Sequence, residues 1–320
     1  MRAVVLSEPD NLAPADVADP EPGAGEVLIE VAACGVCRTD LQIVRGDLAM
    51  RRSPLIPGHQ VVGRIAGSGE RVGLAWLGGA DGSCRYCRAG LENLCDRAEF
   101  TGWTRDGGYA ELVTARADFV YPLPEGLSDV DAAPLLCAGI IGYRSLRLSG
   151  IRPGGLIGLF GFGSSAHLAI QVARHWGCQV AVFARSERER ARATSLGAAW
   201  TGGYDDPPPQ PLDAAVTFAP VGSVVVSALR AIAPGATVAI NAIHLDRMPE
   251  FDYDLLWRER SLRSVANFTR DDAREFLELA AEIPIRPEVT VFPLDEAAEA
   301  LRRLEAGEIG GSAVLRVTDL

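Results

Sequence analysis

Apolar positions in the first part of the chain come in short alternating or β-branched runs, at residues 2–6, 26–33, 61–66 and 109–113, each bounded by glycine or proline. Period-two alternation between turn residues predicts strands, so residues 1–138 read as an irregular β-rich domain. From Gly139 the pattern changes. Near-continuous apolar runs at 156–160, 179–183, 214–218 and 237–241 alternate with helical spacing at 166–176 and 187–196. That alternation is the signature of a parallel sheet with helices on both faces. The proline-rich stretch 207–211 predicts a stiff loop within this second domain rather than a linker. Beyond residue 268 come two helical patterns, 271–282 and 295–306, and a last strand at 313–317. These are expected to rejoin the first domain, because an inserted domain brings both its ends to one surface. The expected fold class is α/β, with 1–138 and 269–320 as one domain around an inserted 139–268.

Length agrees with two domains: 320 residues is about twice the ~150 residues typical of one. The chain is 48% hydrophobic and 23% charged, an ordinary globular balance, and its 34 Gly and 20 Pro point to many tight turns. A formal charge of −11 without a basic run argues against a nucleic-acid partner and for small molecules. The N-terminus lacks the apolar core of a signal peptide, and no stretch has the ~18 apolar residues of a membrane helix. No membrane and a cytoplasmic location are the default expectations. Of seven cysteines, three fall between residues 84 and 95. In a reducing compartment, such crowding favours metal ligation over disulfides.

Two groups of residues carry metal chemistry. Cys37, His59 and Cys137 form a set of three S and N donors, the number a catalytic zinc takes while leaving a fourth position open. Taken singly, each has a bland reading as a small buried hydrophobe or a hydrogen-bonded histidine. The second group is denser: Cys84-x-x-Cys87 and Cys95, with Asp81 just ahead, place four anionic ligands on one loop. Thiolates so close repel unless a cation holds them.

At these residues the chain resembles the zinc-dependent medium-chain dehydrogenases, and most of all the bacterial zinc-containing alcohol dehydrogenases. The motifs are Cys-Arg-Thr-Asp at 37–40, Glu-Asn-Leu-Cys at 92–95 and Leu-Leu-Cys-Ala-Gly at 135–139. The resemblance runs essentially from end to end and implies a GroES-like catalytic domain with an inserted Rossmann domain. It implies two zinc ions per chain, a catalytic one on Cys37, His59 and Cys137 and a structural one on the Asp81 loop. It also implies that Thr39 hydrogen-bonds the substrate oxygen and that the chain forms a homodimer or homotetramer by edge pairing of Rossmann sheets. Asp40 is expected to orient His59.

Four positions depart from the family pattern. Asp81 stands where the first structural cysteine would be; a carboxylate can ligate zinc, so a retained site with one oxygen ligand is expected. Gln60 replaces the acid after the ligand histidine and removes a negative charge beside the metal. Gln42 replaces a histidine that relays the alcohol proton, and an amide cannot titrate near neutral pH. The hairpin after His59 is short.

The cofactor motif follows the strand at 156–160: Gly161-Phe162-Gly163-Ser164-Ser165-Ala166 opens a helix, the context in which G-x-G-x-x-[G/A] cradles a pyrophosphate at a helix N-terminus. At the end of the next strand an NAD site would place an acid to bond the ribose hydroxyls. Here the chain reads Ala184-Arg185-Ser186-Glu187-Arg188. Arg185, Ser186 and Arg188 suit a 2′-phosphate, so NADP(H) is expected in preference to NAD(H). Arg38 is expected to meet the pyrophosphate and His244 the nicotinamide. Trp76, Trp103 and Tyr143 are candidates for an apolar pocket, whereas His167 and His175 are expected to face solvent.

The function expected is hydride transfer between NADP(H) or NAD(H) and an alcohol, aldehyde or ketone. Reduction of a conjugated alkene or an imine on the same scaffold is the alternative that Gln42 and Gln60 motivate. A non-enzymatic NADPH-binding protein is the third reading.

Overall fold

Residues 1–318 are described by a computed structural model; the last two residues of the expected 269–320 segment lie outside the described residues. Strand β1 (Arg2–Glu8) pairs antiparallel with β2 (Asn11–Asp16). Strand β3 (Glu26–Val36) runs past the predicted end, and helix α1 (Arg38–Arg45) buries Leu41, Ile43 and Val44. Strands β4 (Val61–Ile65) and β5 (Arg71–Leu74) form the short hairpin expected after His59. Strand β6 (Leu77–Gly79), one-turn helix α2 (Arg85–Arg88) and β7 (Glu99–Phe100) frame the cysteine loop.

Strand β8 (Leu112–Arg116) begins three residues later than the pattern 109–113 predicts. The backbone of Tyr109 is engaged elsewhere: its N–H donates to Pro57 O at 3.0 Å and its C=O accepts from Val4 at 2.7 Å. Strand β9 (Val120–Pro122), helix α3 (Asp129–Ala132) and helix α4 (Ala138–Ser149) follow.

Next comes a six-stranded sheet. It contains β10 (Leu156–Phe160), α5 (Ser164–His175), β11 (Gln179–Phe183), α6 (Glu187–Ser195), β12 (Trp200–Gly202), β13 (Ala214–Thr217), α7 (Gly222–Ala231), β14 (Thr237–Ile240) and β15 (Ser261–Ser264). Every pairing is parallel, in the order β12-β11-β10-β13-β14-β15. Parallel strands need crossover connections, so the doubly wound Rossmann topology follows, with its switch point between β10 and β13. The rings of Phe160 and Phe183 stack at 3.9 Å, and with Leu212, Val225 and Leu229 they form a buried cluster on the sheet. Each such side chain stabilises the fold by about 1.5–3 kcal/mol. The edge strand β15 escapes sequence detection because Ser261-Leu262-Arg263-Ser264 is mostly polar and exposed.

The chain then returns with α8 (Arg270–Glu282), β16 (Val289–Pro293), α9 (Ala297–Glu305) and β17 (Ser312–Arg316). Strand β16 was not expected, and most of its positions are at least half-exposed. Helix α9 starts two residues later than predicted because residues 294–296 form a tighter 3-10 turn. Strand β17 pairs with Ala33–Val36, which explains the extra length of β3. The order β16-β17-β3-β4-β5-β9, with β8 also on β3, gives a mixed seven-stranded sheet. The chain divides into two units, Met1–Ile140 with the segment from Asn267 onward, and Ile141–Ala266.

Candidate metal centres and nucleotide site

In the first unit, three turns deliver Cys37, His59 and Cys137. Cys37 sits between β3 and α1, His59 just before β4, and Cys137 at the end of a 3-10 turn leading into α4. Their ligand atoms lie within 4.8 Å of one another. Asp40, wholly buried, binds both neighbours: its Oδ2 accepts from the Cys37 N–H at 2.8 Å and its Oδ1 lies 3.0 Å from His59 Nδ1. With Nδ1–H held by a carboxylate, Nε2 is the ring nitrogen left to offer a lone pair to a metal. That Nε2 is buried and has no hydrogen-bond partner among the described residues. Buried polar atoms are almost always satisfied, so a lone pair beside two thiols fits a bound cation.

Burial opposes charge on His59, but the Asp40 carboxylate and its hydrogen bond outweigh it and lift the imidazole to about 10, so without a cation Nε2 holds a proton that a bound metal would displace. Cys37 is held well below the ordinary thiol range, first by a hydrogen bond from Cys137, while that bond and burial push Cys137 well above it. Cys37 thus favours the thiolate and Cys137 the thiol, and a divalent cation bound to both would displace the remaining proton. Thr39 Oγ1 lies 3.7 Å from Cys37 Sγ. Gln60 is buried against Gly35, where a Cβ would stand 2.8 Å from the Gln60 amide, and Gln42 is half-buried on α1. Arg38 is exposed.

Asp81, Cys84, Cys87 and Cys95 converge in the same way, with ligand atoms within 4.8 Å of one another. Asp81 Oδ1 accepts from the Ser83 and Cys84 N–H groups at 2.7 and 2.8 Å. Those backbone bonds hold its carboxyl well below the usual range. N–H groups also point at sulfur, Cys87 N to Cys84 Sγ at 3.4 Å and Arg97 N to Cys95 Sγ at 3.3 Å. The first of these lowers Cys84, whereas burial pushes Cys87 up to about 12. A loop that directs donors onto its own anions is shaped for a cation. Glu92, from the same loop, accepts from Arg270 N at 2.9 Å and pairs with its guanidinium at 3.3 Å. Partners 178 positions apart give no signal in a single sequence.

Trp76 meets His59 edge-on at 4.9 Å and stacks on Phe100 at 5.1 Å and on Trp103 at 5.8 Å. Phe100 was not singled out from the sequence. Tyr143 instead belongs to the second unit and packs edge-on against Trp176.

In the second unit, Gly161 follows β10 with φ of 93°, and a Cβ there would stand 2.9 Å from Ala219 N. Both facts demand glycine. Gly163 is the N-cap of α5 and has open space around it, with Ser164, Ser165 and Ala166 in the first turn. Beyond β11, Arg185 and Arg188 are exposed. Ser186 Oγ accepts from Glu189 N and donates to Glu189 Oε2 at 2.8 Å, so its hydroxyl caps α6. His244 is exposed on the loop after β14. His175 is exposed as expected, but His167 is wholly buried. Helix α5 buries seven side chains: α4 packs on its Ala169 face, where a Cβ on Gly142 would stand 3.3 Å from Ala169 Cβ, and Arg192 of α6 lies near His167. Burial, with the charge of Arg192, pushes His167 down to about 3, so it is neutral.

Comparison with known proteins follows the same division. Residues 23–125 match the alcohol dehydrogenase GroES-like domain family and residues 166–282 the zinc-binding dehydrogenase family. A probable alcohol dehydrogenase of Mycobacterium tuberculosis is 49% identical over 93% of this chain and 90% of its own length. An alcohol dehydrogenase of Geobacillus stearothermophilus is 35% identical over the full length of both chains. The crystal structure of the alcohol dehydrogenase from Aeropyrum pernix superposes with a TM-score of 0.87 at 28% identity, covering 99% of this chain and 100% of that one. With two family matches along its length and relatives this similar, the chain belongs to the zinc-type medium-chain dehydrogenase family.

Proposed function

We propose that this protein is an alcohol dehydrogenase that transfers hydride between NADP(H), preferred over NAD(H), and a small alcohol, aldehyde or ketone. The observation that carries the reading is the convergence of Cys37, His59 and Cys137, with Asp40 orienting the histidine and Nε2 left as a buried donor. A zinc held there would supply Lewis acidity at the substrate oxygen, and a bound nicotinamide would supply or accept the hydride. Thr39, two residues beyond Cys37, hydrogen-bonds the substrate oxygen and carries its proton outward. Gln42 has no titrating group, so the outer end of that path is solvent. Trp76, Phe100 and Trp103 line the apolar side of the substrate site and keep water from it. Asp81, Cys84, Cys87 and Cys95 would hold a second, structural zinc.

The metal-bearing unit is the catalytic domain and Ile141–Ala266 the cofactor domain. Gly161, Gly163, Ser164, Ser165 and Ala166 receive the pyrophosphate at the N-terminus of α5. Arg185, with Arg188 beside it, takes the 2′-phosphate; the tip of β11 carries no acid to repel it. The unpaired edge of β15, with Tyr253 and Trp257 exposed at 68% and 58% on the segment leading into it, supports a dimer formed by joining two sheets.

Metal analysis and NADPH oxidation with aliphatic and aromatic aldehydes test the proposal. Two zinc ions per chain and aldehyde turnover are expected, with kcat/KM for NADPH falling about tenfold in Arg185→Ala and that for NADH unchanged. Turnover of enones or imines only, or cofactor binding without turnover, overturns it.

A further inference from the structure

The turn at the tip of β11 carries the exposed Arg185, and its backbone is held from three directions. Gly161 N donates to Phe183 O at 2.8 Å, which ties the turn to the first glycine of the pyrophosphate motif. Ala184 N donates to Gly202 O at 2.9 Å, which ties it to β12. The third hold comes from a side chain: Arg190 Nη1, on α6, donates to Ala184 O at 2.8 Å and to Arg185 O at 3.2 Å. Arg190 Nη2 donates to Glu187 Oε2 at 2.8 Å.

One bond would satisfy the carbonyl of Ala184, which is wholly buried. The second bond does more, because the carbonyls of residues 184 and 185 belong to the two peptide planes on either side of the Arg185 α-carbon. Peptide units are planar, so holding both fixes φ and ψ of Arg185 and with them the direction of its Cα–Cβ bond. Ser186, the next residue, has a single O–H and gives it to Glu189 Oε2 at 2.8 Å. Its hydroxyl therefore has no proton left for a phosphate, and the turn itself offers the Arg185 guanidinium.

We propose that Arg190 is a positioning residue for cofactor choice: by holding the two carbonyls that flank Arg185, it aims the Arg185 side chain at the 2′-phosphate of NADP(H). This rests on the reading that Arg185 takes that phosphate. NAD(H) has a hydroxyl there, so its binding does not depend on that aim.

The test titrates the full-length, zinc-loaded enzyme with adenosine 2′,5′-bisphosphate and with 5′-AMP, which differ only in the 2′-phosphate. Kinetics with NADPH and NADH run in parallel. Arg190→Met keeps the apolar stem and removes the donors. It is expected to raise Kd for the bisphosphate and KM for NADPH about tenfold, while kcat, 5′-AMP binding and KM for NADH stay within about twofold. In an Arg185→Ala background the same change is expected to add nothing. Equal weakening of both nucleotides, or an undiminished effect in the Arg185→Ala background, overturns the inference. So does recovery of bisphosphate binding on adding Glu187→Gln, since Arg190 would then act only by neutralising Glu187. If Arg185→Ala alone leaves bisphosphate binding unchanged, the reading of Arg185 fails and the inference with it. Should the methionine variant fail to fold, a crystal structure of the wild type with the bisphosphate decides the matter. Arg185 on the 2′-phosphate with both carbonyls on Arg190 supports the inference; Arg190 on the phosphate, or the carbonyls released from it, overturns it.

Discussion

The loop cluster draws Asp81, Cys84, Cys87 and Cys95 from residues 81–95, whereas Cys37, His59 and Cys137 come from three turns that only the assembled sheet brings together. The loop ligands other than Cys95 are half-buried and are steadied by N–H groups of their own segment. In the other cluster His59 is wholly buried and steadied by Asp40, which reaches across from another turn. A local cluster can organise itself around a cation and so contribute to stability. A cluster spread across the fold depends on that fold for its geometry, and it can leave one side of its metal open for chemistry. Under the proposed function, the same donor chemistry divides into a structural staple and a reaction centre.

Four substitutions at three positions probe this contrast. The largest effect is expected from Cys37→Ser, which should lower kcat/KM by roughly a thousandfold, about 4 kcal/mol of transition-state stabilisation, with the thermal midpoint little changed. Steady-state kinetics and a melting curve check it; near-normal turnover would show that the buried cluster is not the reaction centre. Cys95→Ser should do the reverse, lowering unfolding free energy by about 3 kcal/mol in denaturant titrations while the folded fraction keeps its turnover. A turnover loss as large as that of Cys37→Ser would erase the distinction. The smallest effect is expected at Asp81. Replacing it with cysteine should slow release of the loop metal to a chelator about tenfold, since zinc favours sulfur, and replacing it with asparagine should speed release by a similar factor. If neither replacement changes the rate, Asp81 acts only as the turn-forming acceptor of the Ser83 and Cys84 N–H groups.

The contrast also governs how much the chain reveals before it folds. Cys84, Cys87 and Cys95 declare themselves by spacing, and Gly161 and Gly163 by their place between a strand and a helix. Cys37, His59 and Cys137 are unremarkable singly; motif resemblance, not spacing, joins them. The polar edge strand β15 and the half-exposed β16 gave no clear alternation, because their pairing comes from β14 and β17. His167 misled for a related reason: its face of α5 is covered, with Arg192 of α6 near it, while the wet face of the helix lies at Arg174 and His175.

By itself, then, the sequence determined what depends on neighbours along the chain: the change from irregular strands to a βα alternation, the cysteine loop and the glycine turn. Period and turn chemistry are local, so they can be read in order. Only the tertiary structure decided what depends on distant residues meeting. It set the Asp40 bonds to Cys37 and His59, the Glu92 anchor for Arg270, the burial of His167 and the seating of Tyr109 behind Gly58. Each of these is a pairing or a burial fixed by packing, and no pattern within one segment encodes which distant residue will fill the adjoining space.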